Sequence, residues 1–331
     1  MTPSVSVFGA GGFTGALSAR LLFRHPQFDL RTVTTRSDAG RRLDELYPYH
    51  RVPMVLEALD LDRQADGLDA AIVAYPHGAA AELVASLRDR GVRVVDLSAD
   101  FRLRDPAVYA EWYREHPVPA MISEAVYGLP EHYRDQIRSA DLVANPGCYP
   151  TATLLALAPL ARTGLVRDVV IDAKSGVSGA GRAATEKTHF VTVDENVTPY
   201  GIPGHRHTPE IEQELDALGA SLRVTFTPHL LPLDQGELVS CYVTVDDGLS
   251  DVDDLYGDAY GGEPFVEVVS TPPGVRDVRE TNICRISVHR DPRTERVIVF
   301  GAIDNLWKGA ASQAVQNLNL MFGLPEELGI T

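Results

Sequence analysis

The 331-residue sequence is short of cysteine, of basic charge and of long apolar runs, and each shortage excludes something. Cys148, Cys241 and Cys284 are an odd number at no metal-ligand spacing. That argues against a disulfide framework or a structural metal site, and for a reduced, cytoplasmic setting. No apolar run reaches the roughly 20 residues a membrane-spanning helix needs, and the N-terminus enters a strand pattern with no signal peptide expected ahead of it. With 46 acidic against 30 basic residues the net charge is −16, so neither nucleic acid nor an anionic membrane is an expected partner. An anionic substrate would need a local cluster of cations. Internal repeats and low-complexity tracts are also missing. The length suffices for two domains with proper cores.

What is present centres on residues 143–160, Val-Ala-Asn-Pro-Gly-Cys-Tyr-Pro-Thr-Ala-Thr-Leu-Leu-Ala-Leu-Ala-Pro-Leu. An apolar strand end runs into a turn made by Asn145, Pro146 and Gly147, which delivers Cys148 to the start of a helix. Pro150 suits the first helical turn, where a missing N–H costs nothing. A cysteine there faces the positive end of the helix dipole and unpaired backbone N–H groups. These lower a thiol pKa and can hold an oxyanion on a carbonyl that the sulfur attacks. The context marks Cys148 as the nucleophile of an enzyme. The competing assignment, a small buried hydrophobe, suits Cys241 and Cys284, which sit in strand-like segments.

Residues 4–8 read as a buried strand, followed directly by Gly9-Ala-Gly-Gly-Phe-Thr-Gly15 and a helical segment. Strand, glycine-rich turn and helix in that order open a dinucleotide-binding fold. Gly9 permits the tight turn, Gly12 lets backbone approach a pyrophosphate, and Gly15 allows close helix–strand packing, with Phe13 and Thr14 at the helix mouth. The second strand ends in Thr35, Arg36 and Ser37, where an NAD-specific protein would carry a carboxylate. A cation and hydroxyls there suit the 2′-phosphate of NADP. Two more strand–helix units follow, so a parallel, doubly wound sheet is expected. Ligands bind beyond the C-terminal strand ends of such sheets. That aligns residues 9–15, 35–37, 75–78 and 98–102 on one rim, with Arg102 a candidate for gripping an anion. Residues 103–141, polar and proline-punctuated, read as irregular covering structure.

Beyond Cys148, the segment Lys174-Ser-Gly-Val-Ser-Gly-Ala-Gly-Arg182 could form an anion-binding nest or a plain connection. His205, Arg206 and His207 precede a helix start, a place cations avoid unless they face an anion or a thiolate. His205 is the choice for general acid/base beside Cys148, with His207 or His189 as substitutes; no metal is expected. The later strands come mostly in succession, which makes an α+β second domain with a mainly antiparallel sheet. Residues 306–322 read as one long helix, packed back on the nucleotide domain, with Asn305 and Lys308 near the cofactor. The boundaries follow: 1–147 with 305–331 for a Rossmann dinucleotide-binding domain, and 148–304 for a catalytic, substrate and oligomerisation domain.

The Asn145-Pro-Gly-Cys-Tyr-Pro-Thr-Ala152 segment, with Pro159 closing the helix, resembles the active-site signature of the N-acetyl-γ-glutamyl-phosphate reductase family, related more distantly to aspartate-semialdehyde dehydrogenase. The resemblance extends over nearly the whole chain, through Pro76-His-Gly78, Asp96-Leu-Ser-Ala-Asp-Phe-Arg102, Tyr127-Gly-Leu-Pro-Glu131, residues 174–182, Gly204-His-Arg-His-Thr-Pro-Glu210 and Asp304-Asn305. It implies NADP(H), a Cys148 thioester, His205 as acid/base, a small anionic acyl-phosphate substrate and a homodimer or homotetramer. On that footing Pro76, Ser178, Gly179 and Asn305 join the cofactor set. Arg102, Asn145, Lys174, Ser175, Arg182 and His207 form the substrate set. The implied reaction is NADPH-dependent reduction of N-acetyl-γ-glutamyl phosphate to the 5-semialdehyde, a step of arginine biosynthesis. Three positions depart from the family pattern: Gln235 replaces an arginine, and Glu280 and Ser312 replace glycines. Gln235 motivates an alternative, reduction of a related acyl phosphate such as carrier-protein-bound amino-adipoyl phosphate. A different class, an inactive NADP-sensing homologue, is disfavoured by the intact Cys148 and His205.

Overall fold

The computed structural model describes residues 2–249 and 251–330. The chain forms two compact units, Met1–Gly147 with Ala310–Thr331, and Cys148–Gly309. Residues 305–309, which the sequence suggested for the first unit, belong to the second. There the Asn305 amide donates to the Ser178 hydroxyl at 3.0 Å, and the Gly309 N–H donates to the Asp304 carbonyl at 2.9 Å.

In the first unit, β1 (Ser4–Phe8), β2 (Asp29–Thr34), β3 (Ala70–Val73), β4 (Arg93–Asp96), β5 (Val126–Tyr127) and β6 (Leu142–Ala144) form one sheet in the order β2-β1-β3-β4-β6-β5. Every pairing in it is parallel. Fully apolar strands such as Ala70–Val73 are buried throughout, as strands covered on both faces must be. Strand order reverses direction between β1 and β3, the switch point at which this architecture opens a ligand crevice.

Residues 103–141 are more regular than expected, with helices at Pro106–Trp112 and Pro130–Arg138 as well as β5. The prolines that read as punctuation are first-turn residues of these helices, where a missing N–H is harmless; Asp105 caps the first through the Ala107 N–H at 2.8 Å. The expected long C-terminal helix is likewise divided. Trp307–Ala311 forms a wider π-type turn before Ser312–Met321, because Asp304 accepts the Leu306 and Trp307 N–H groups and draws Gly309 onto its own carbonyl. Ser312–Met321 packs against helices Phe13–Phe23 and Pro130–Arg138 of its own unit.

The second unit carries β7 (Val166–Gly176), β8 (Thr198–Pro199), β9 (Thr225–Leu231), β10 (Glu237–Val245), β11 (Val266–Val268), β12 (Cys284–Arg290) and β13 (Val297–Ile303). They lie in the order β11-β12-β13-β10-β7-β9-β8. The sheet is mixed. The central pairings β7–β10, β10–β13 and β12–β13 are antiparallel, and β7–β9 and β11–β12 are parallel. Helix Cys148–Ala161 lies on the face that carries Val239 and Gly301; a Cβ on Gly301 would stand 3.2 Å from the Ala152 carbonyl oxygen. Tyr149 through Ala161 are all buried, so the helix is apolar all round because nothing on it faces water. Pro159 does not close it. The Leu155 carbonyl, deprived of its N–H partner by Pro159, accepts the Tyr260 hydroxyl at 2.5 Å, and the helix continues to Ala161.

Candidate active site

In the first unit the glycine turn is built from close contacts. Gly9 has φ +98°, and a Cβ there would stand 2.5 Å from the Ala74 carbonyl oxygen; a Cβ on Gly15 would come within 2.3 Å of the Gly9 oxygen. Only glycine fits either place. Gly12 is the N-cap of helix Phe13–Phe23, and no side chain caps that helix start, so the backbone around Phe13 and Thr14 is open to a pyrophosphate. The Tyr47 hydroxyl holds the turn through the Gly11 carbonyl at 2.9 Å.

At the end of β2, the Thr35 hydroxyl accepts the N–H groups of Ser37 and Asp38, which shapes the turn. Arg36 is exposed above the Tyr75 ring, 6.0 Å from its centroid. A cleft of about 570 Å³ opens here, lined by Thr35, Arg36, Tyr75, Gly78 and Arg114. Arg114 also donates to the Gly78 carbonyl. Two guanidinium groups and the Glu82 carboxyl thus line one cleft. Arg114 carried no motif and was not anticipated. Pro76 lies exposed on the same rim.

Two residues assigned to substrate are hydrogen-bonded within the first unit. The Arg102 guanidinium, 5 % exposed, donates to the carbonyls of Asn145 and Leu97, each at 2.8 Å. The Asn145 side chain, 1 % exposed, accepts from the Asn317 amide at 3.0 Å. Both brace the end of β6 through these bonds.

In the second unit, Cys148 is partly exposed and is the first residue of its helix, whereas Cys241 and Cys284 are buried in β10 and β12. Behind it an aromatic cluster forms. The Tyr149 ring stands 5.7 Å from His205, 5.9 Å from His207 and 5.3 Å from Phe226, and the Tyr200 hydroxyl donates to the Tyr149 hydroxyl at 3.1 Å. His205 accepts the His207 backbone N–H on Nδ1 at 3.1 Å. Burial, with the Arg206 charge behind it, pushes the His205 pKa down to about 4. With Nδ1 accepting the His207 N–H, Nε2 is the ring nitrogen placed to carry a proton. Among the described residues no group of three or more His, Cys, Asp or Glu is placed to hold a metal ion.

Ser175, Ser178, Gly179 and Asn305 come together. Besides the Asn305–Ser178 bond, a Cβ on Gly179 would meet the Ser175 hydroxyl at 2.9 Å. The Asn305 side chain also accepts the Gly236 N–H at 2.7 Å. Lys174 is not part of this group. Neighbouring strand residues face opposite sides of the sheet, and Lys174 points away from the cysteine helix, paired with Asp172 at 2.7 Å. Arg182 is exposed in the loop that follows. At Gln235, where the family arginine is missing, the Arg279 guanidinium donates to the Gln235 carbonyl at 3.2 Å, so a cation stands beside this segment nonetheless.

The residue that sequence reading overlooked is Glu237, the first residue of β10. It is 0 % exposed, and its carboxyl group interacts with the Cys148 side chain. A signal existed: Glu237, Val239, Cys241 and Val243 alternate on one face, and all four are buried. A carboxyl in phase with core residues needs a reason.

Two family models cover the chain: the semialdehyde dehydrogenase NAD-binding domain matches residues 4–140, and the semialdehyde dehydrogenase dimerisation domain matches residues 148–305. The N-acetyl-γ-glutamyl-phosphate reductase of Desulforudis audaxviator is 49 % identical over 98 % of this chain and 97 % of its own length. The enzyme of that name from Halorhodospira halophila is 49 % identical over the same shares. This chain belongs to the N-acetyl-γ-glutamyl-phosphate reductase family. It is an oxidoreductase with a domain for a nicotinamide dinucleotide. Solved structures share the fold: aspartate semialdehyde dehydrogenase II of Vibrio cholerae complexed with ASA has a TM-score of 0.75 at 18 % identity, covering 98 % of this chain and 99 % of its own. Aspartate semialdehyde dehydrogenase with NADP from Candida albicans has a TM-score of 0.72 at 14 % identity, covering 97 % and 99 %. No helix among the described residues is long and apolar enough to cross a membrane.

Proposed function

We propose that this chain reduces N-acetyl-γ-glutamyl phosphate with NADPH to N-acetylglutamate 5-semialdehyde and phosphate, through a thioester on Cys148. It does so in arginine biosynthesis, as a cytoplasmic homodimer or homotetramer. The observation that carries this reading is a partly exposed cysteine opening a buried helix whose next residue, Tyr149, packs against the hydrogen-bonded His205. The names of the full-length relatives supply the substrate.

The Cys148 sulfur attacks the acyl carbon, and the carbonyl oxygen gains negative charge that backbone N–H groups of the first helical turn can hold. Phosphate leaves and the thioester forms. NADPH, when bound, would supply a hydride for the acyl carbon, and the thioester would become a thiohemiacetal. His205 enters as a hydrogen-bond donor through Nε2 toward the acyl oxygen, because Nδ1 is occupied by the His207 N–H. The Ser175, Ser178 and Asn305 cluster offers hydroxyl and amide groups for cofactor or phosphate. Gly9, Gly12 and Gly15 with Arg36 and Arg114 hold the dinucleotide. Arg279 keeps a guanidinium beside the Gln235 segment, where the family arginine is missing.

The test is the reverse reaction. N-acetylglutamate 5-semialdehyde should reduce NADP only when inorganic phosphate is present. Reduction without phosphate, or a preference for the amino-adipate semialdehyde, would overturn the assignment.

A further inference from the structure

Beside Cys148 the second unit places bare backbone. A Cβ on Gly309 would stand 2.8 Å from the Cys148 Cβ, and 3.3 Å from both the Asp304 carbonyl oxygen and the Ile303 Cδ1. Carbon atoms in ordinary contact keep about 3.5–4.0 Å apart, so Gly309 backs directly onto the carbon that carries the thiol. Its φ lies outside the left-handed region, so space rather than backbone conformation calls for glycine. The turn that delivers Gly309 is held from behind. The Gly309 N–H reaches back to the Asp304 carbonyl at 2.9 Å, one residue further than an α-helix allows. The Asp304 carboxyl group, 0 % exposed, accepts the Leu306 and Trp307 N–H groups on Oδ1 at 2.9 and 3.2 Å, and the Glu280 N–H on Oδ2 at 2.8 Å. Wide turns of this kind are rare and gather at functional sites. Gly301 meets the same helix elsewhere: its Cβ would stand 3.2 Å from the Ala152 carbonyl oxygen and 3.3 Å from the Ala156 Cβ, beyond the first turn.

We propose that Gly309 is a positioning residue for the nucleophile: with the Asp304 turn behind it, it fixes the Cys148 Cβ and so the direction in which the sulfur leaves the helix end. This rests on the reading of Cys148 as nucleophile given above. Cys148 is the first residue of its helix, where backbone N–H groups lack intrahelical partners. The sulfur must meet the acyl carbon while the acyl oxygen stays within reach of those groups. A methyl group on Gly309 would have to push the Cys148 Cβ away by about 0.7–1 Å to restore ordinary contact. A misplacement of about 1 Å at a reacting atom costs about 100-fold in rate. Gly309 has no side chain with which to hold substrate or cofactor, so the loss falls on kcat rather than on KM.

The experiment compares wild type, Gly309→Ala and Gly301→Ala, the last pressing the same helix away from the cysteine. Phosphate-dependent reduction of NADP is measured beside the pH dependence of Cys148 alkylation by iodoacetamide, with Cys148→Ser as the blank, and beside denaturant unfolding. In Gly309→Ala, kcat should fall about 100-fold while the Michaelis constants stay within about twofold. Its alkylation midpoint should rise by about half a pH unit or more, because the displaced sulfur moves off the helix-terminal N–H groups that favour the thiolate. Gly301→Ala should lose stability and keep wild-type kcat and alkylation midpoint. A Gly309→Ala variant that loses stability alone, or a Gly301→Ala variant with the same kinetic losses, overturns the proposal. Alkylation needs neither substrate nor cofactor, so it still decides the positioning if the substrate assignment fails. That other failure would show as wild-type enzyme inactive in the phosphate-dependent assay. Should Gly309→Ala not fold, the same measurements on Gly309→Ala combined with Ile303→Val decide. That pair conserves volume and removes the Cδ1 atom facing the new methyl, yet leaves the clash with Cys148 in place. A raised midpoint with reduced kcat supports the proposal, and wild-type values refute it.

Discussion

Each unit buries carboxyl groups completely, and one from each, Asp100 and Glu237, are treated in opposite ways. Asp100 in the first unit accepts the N–H groups of Gly78, Ala80 and Ala81 at 2.6, 2.9 and 3.0 Å, and the Tyr109 hydroxyl at 3.0 Å. It fastens the loop after β3 and the start of helix Ala81–Arg88, and so holds the rim of the nucleotide crevice in shape. Glu237 in the second unit is given no such donors and is left beside a thiol. Burial alone therefore says little about role; the partners that a buried carboxyl group is given say more.

The pH dependence of stability should break this comparison most widely. Glu237 has its folded pKa raised from 4.5 to about 8. Below the unfolded value both states hold the proton and no penalty exists. As pH rises from 4.5 toward 8 the unfolded chain ionises first, so the folded state loses stability, and the loss levels off above 8. Glu237→Gln should lack that slope and gain on wild type by on the order of 2–5 kcal/mol across the window, read by denaturant titration at several pH values. Asp100→Asn should do the reverse. It leaves backbone N–H groups facing an amide and should cost about 2–4 kcal/mol in the same titration at neutral pH. Smaller is the effect of Arg36→Ala, which should raise the Michaelis constant for NADPH about tenfold and leave that for NADH nearly unchanged; an equal effect on both would remove Arg36 from the 2′-phosphate site. Smallest is Glu280→Gly. Glu280 has φ +56°, a left-handed conformation at the position where the family pattern has glycine, and the change should stabilise by about 1 kcal/mol.

The two units also differ in how much the sequence disclosed. The first could be read from its apolar strands and glycine turn, because a parallel sheet and a close-packed turn leave signatures in local spacing. The helix that Cys148 opens was equally plain from the turn before it and Pro150 within it. Glu280 was visible as a departure from the family pattern, and its positive φ gives the reason. Pairing across distance was less legible. Nothing local says that Arg102 would turn to the Asn145 and Leu97 carbonyls, that Lys174 would face Asp172 away from the cysteine helix, or that Arg114 would reach the loop at Gly78. The surroundings of His205 were equally hidden: burial and the Arg206 charge push its pKa down, and the His207 N–H occupies Nδ1, both consequences of the fold.

The account stands or falls on a covalent acyl-enzyme at Cys148. The most direct measurement incubates the protein with N-acetyl-γ-glutamyl phosphate in the absence of cofactor, followed by mass spectrometry of its peptides. An N-acetylglutamyl adduct on Cys148, missing from Cys148→Ser, is the predicted result, and that variant should lose at least about three orders of magnitude in turnover. An unmodified Cys148 under those conditions, with Cys148→Ser near normal activity, would contradict it.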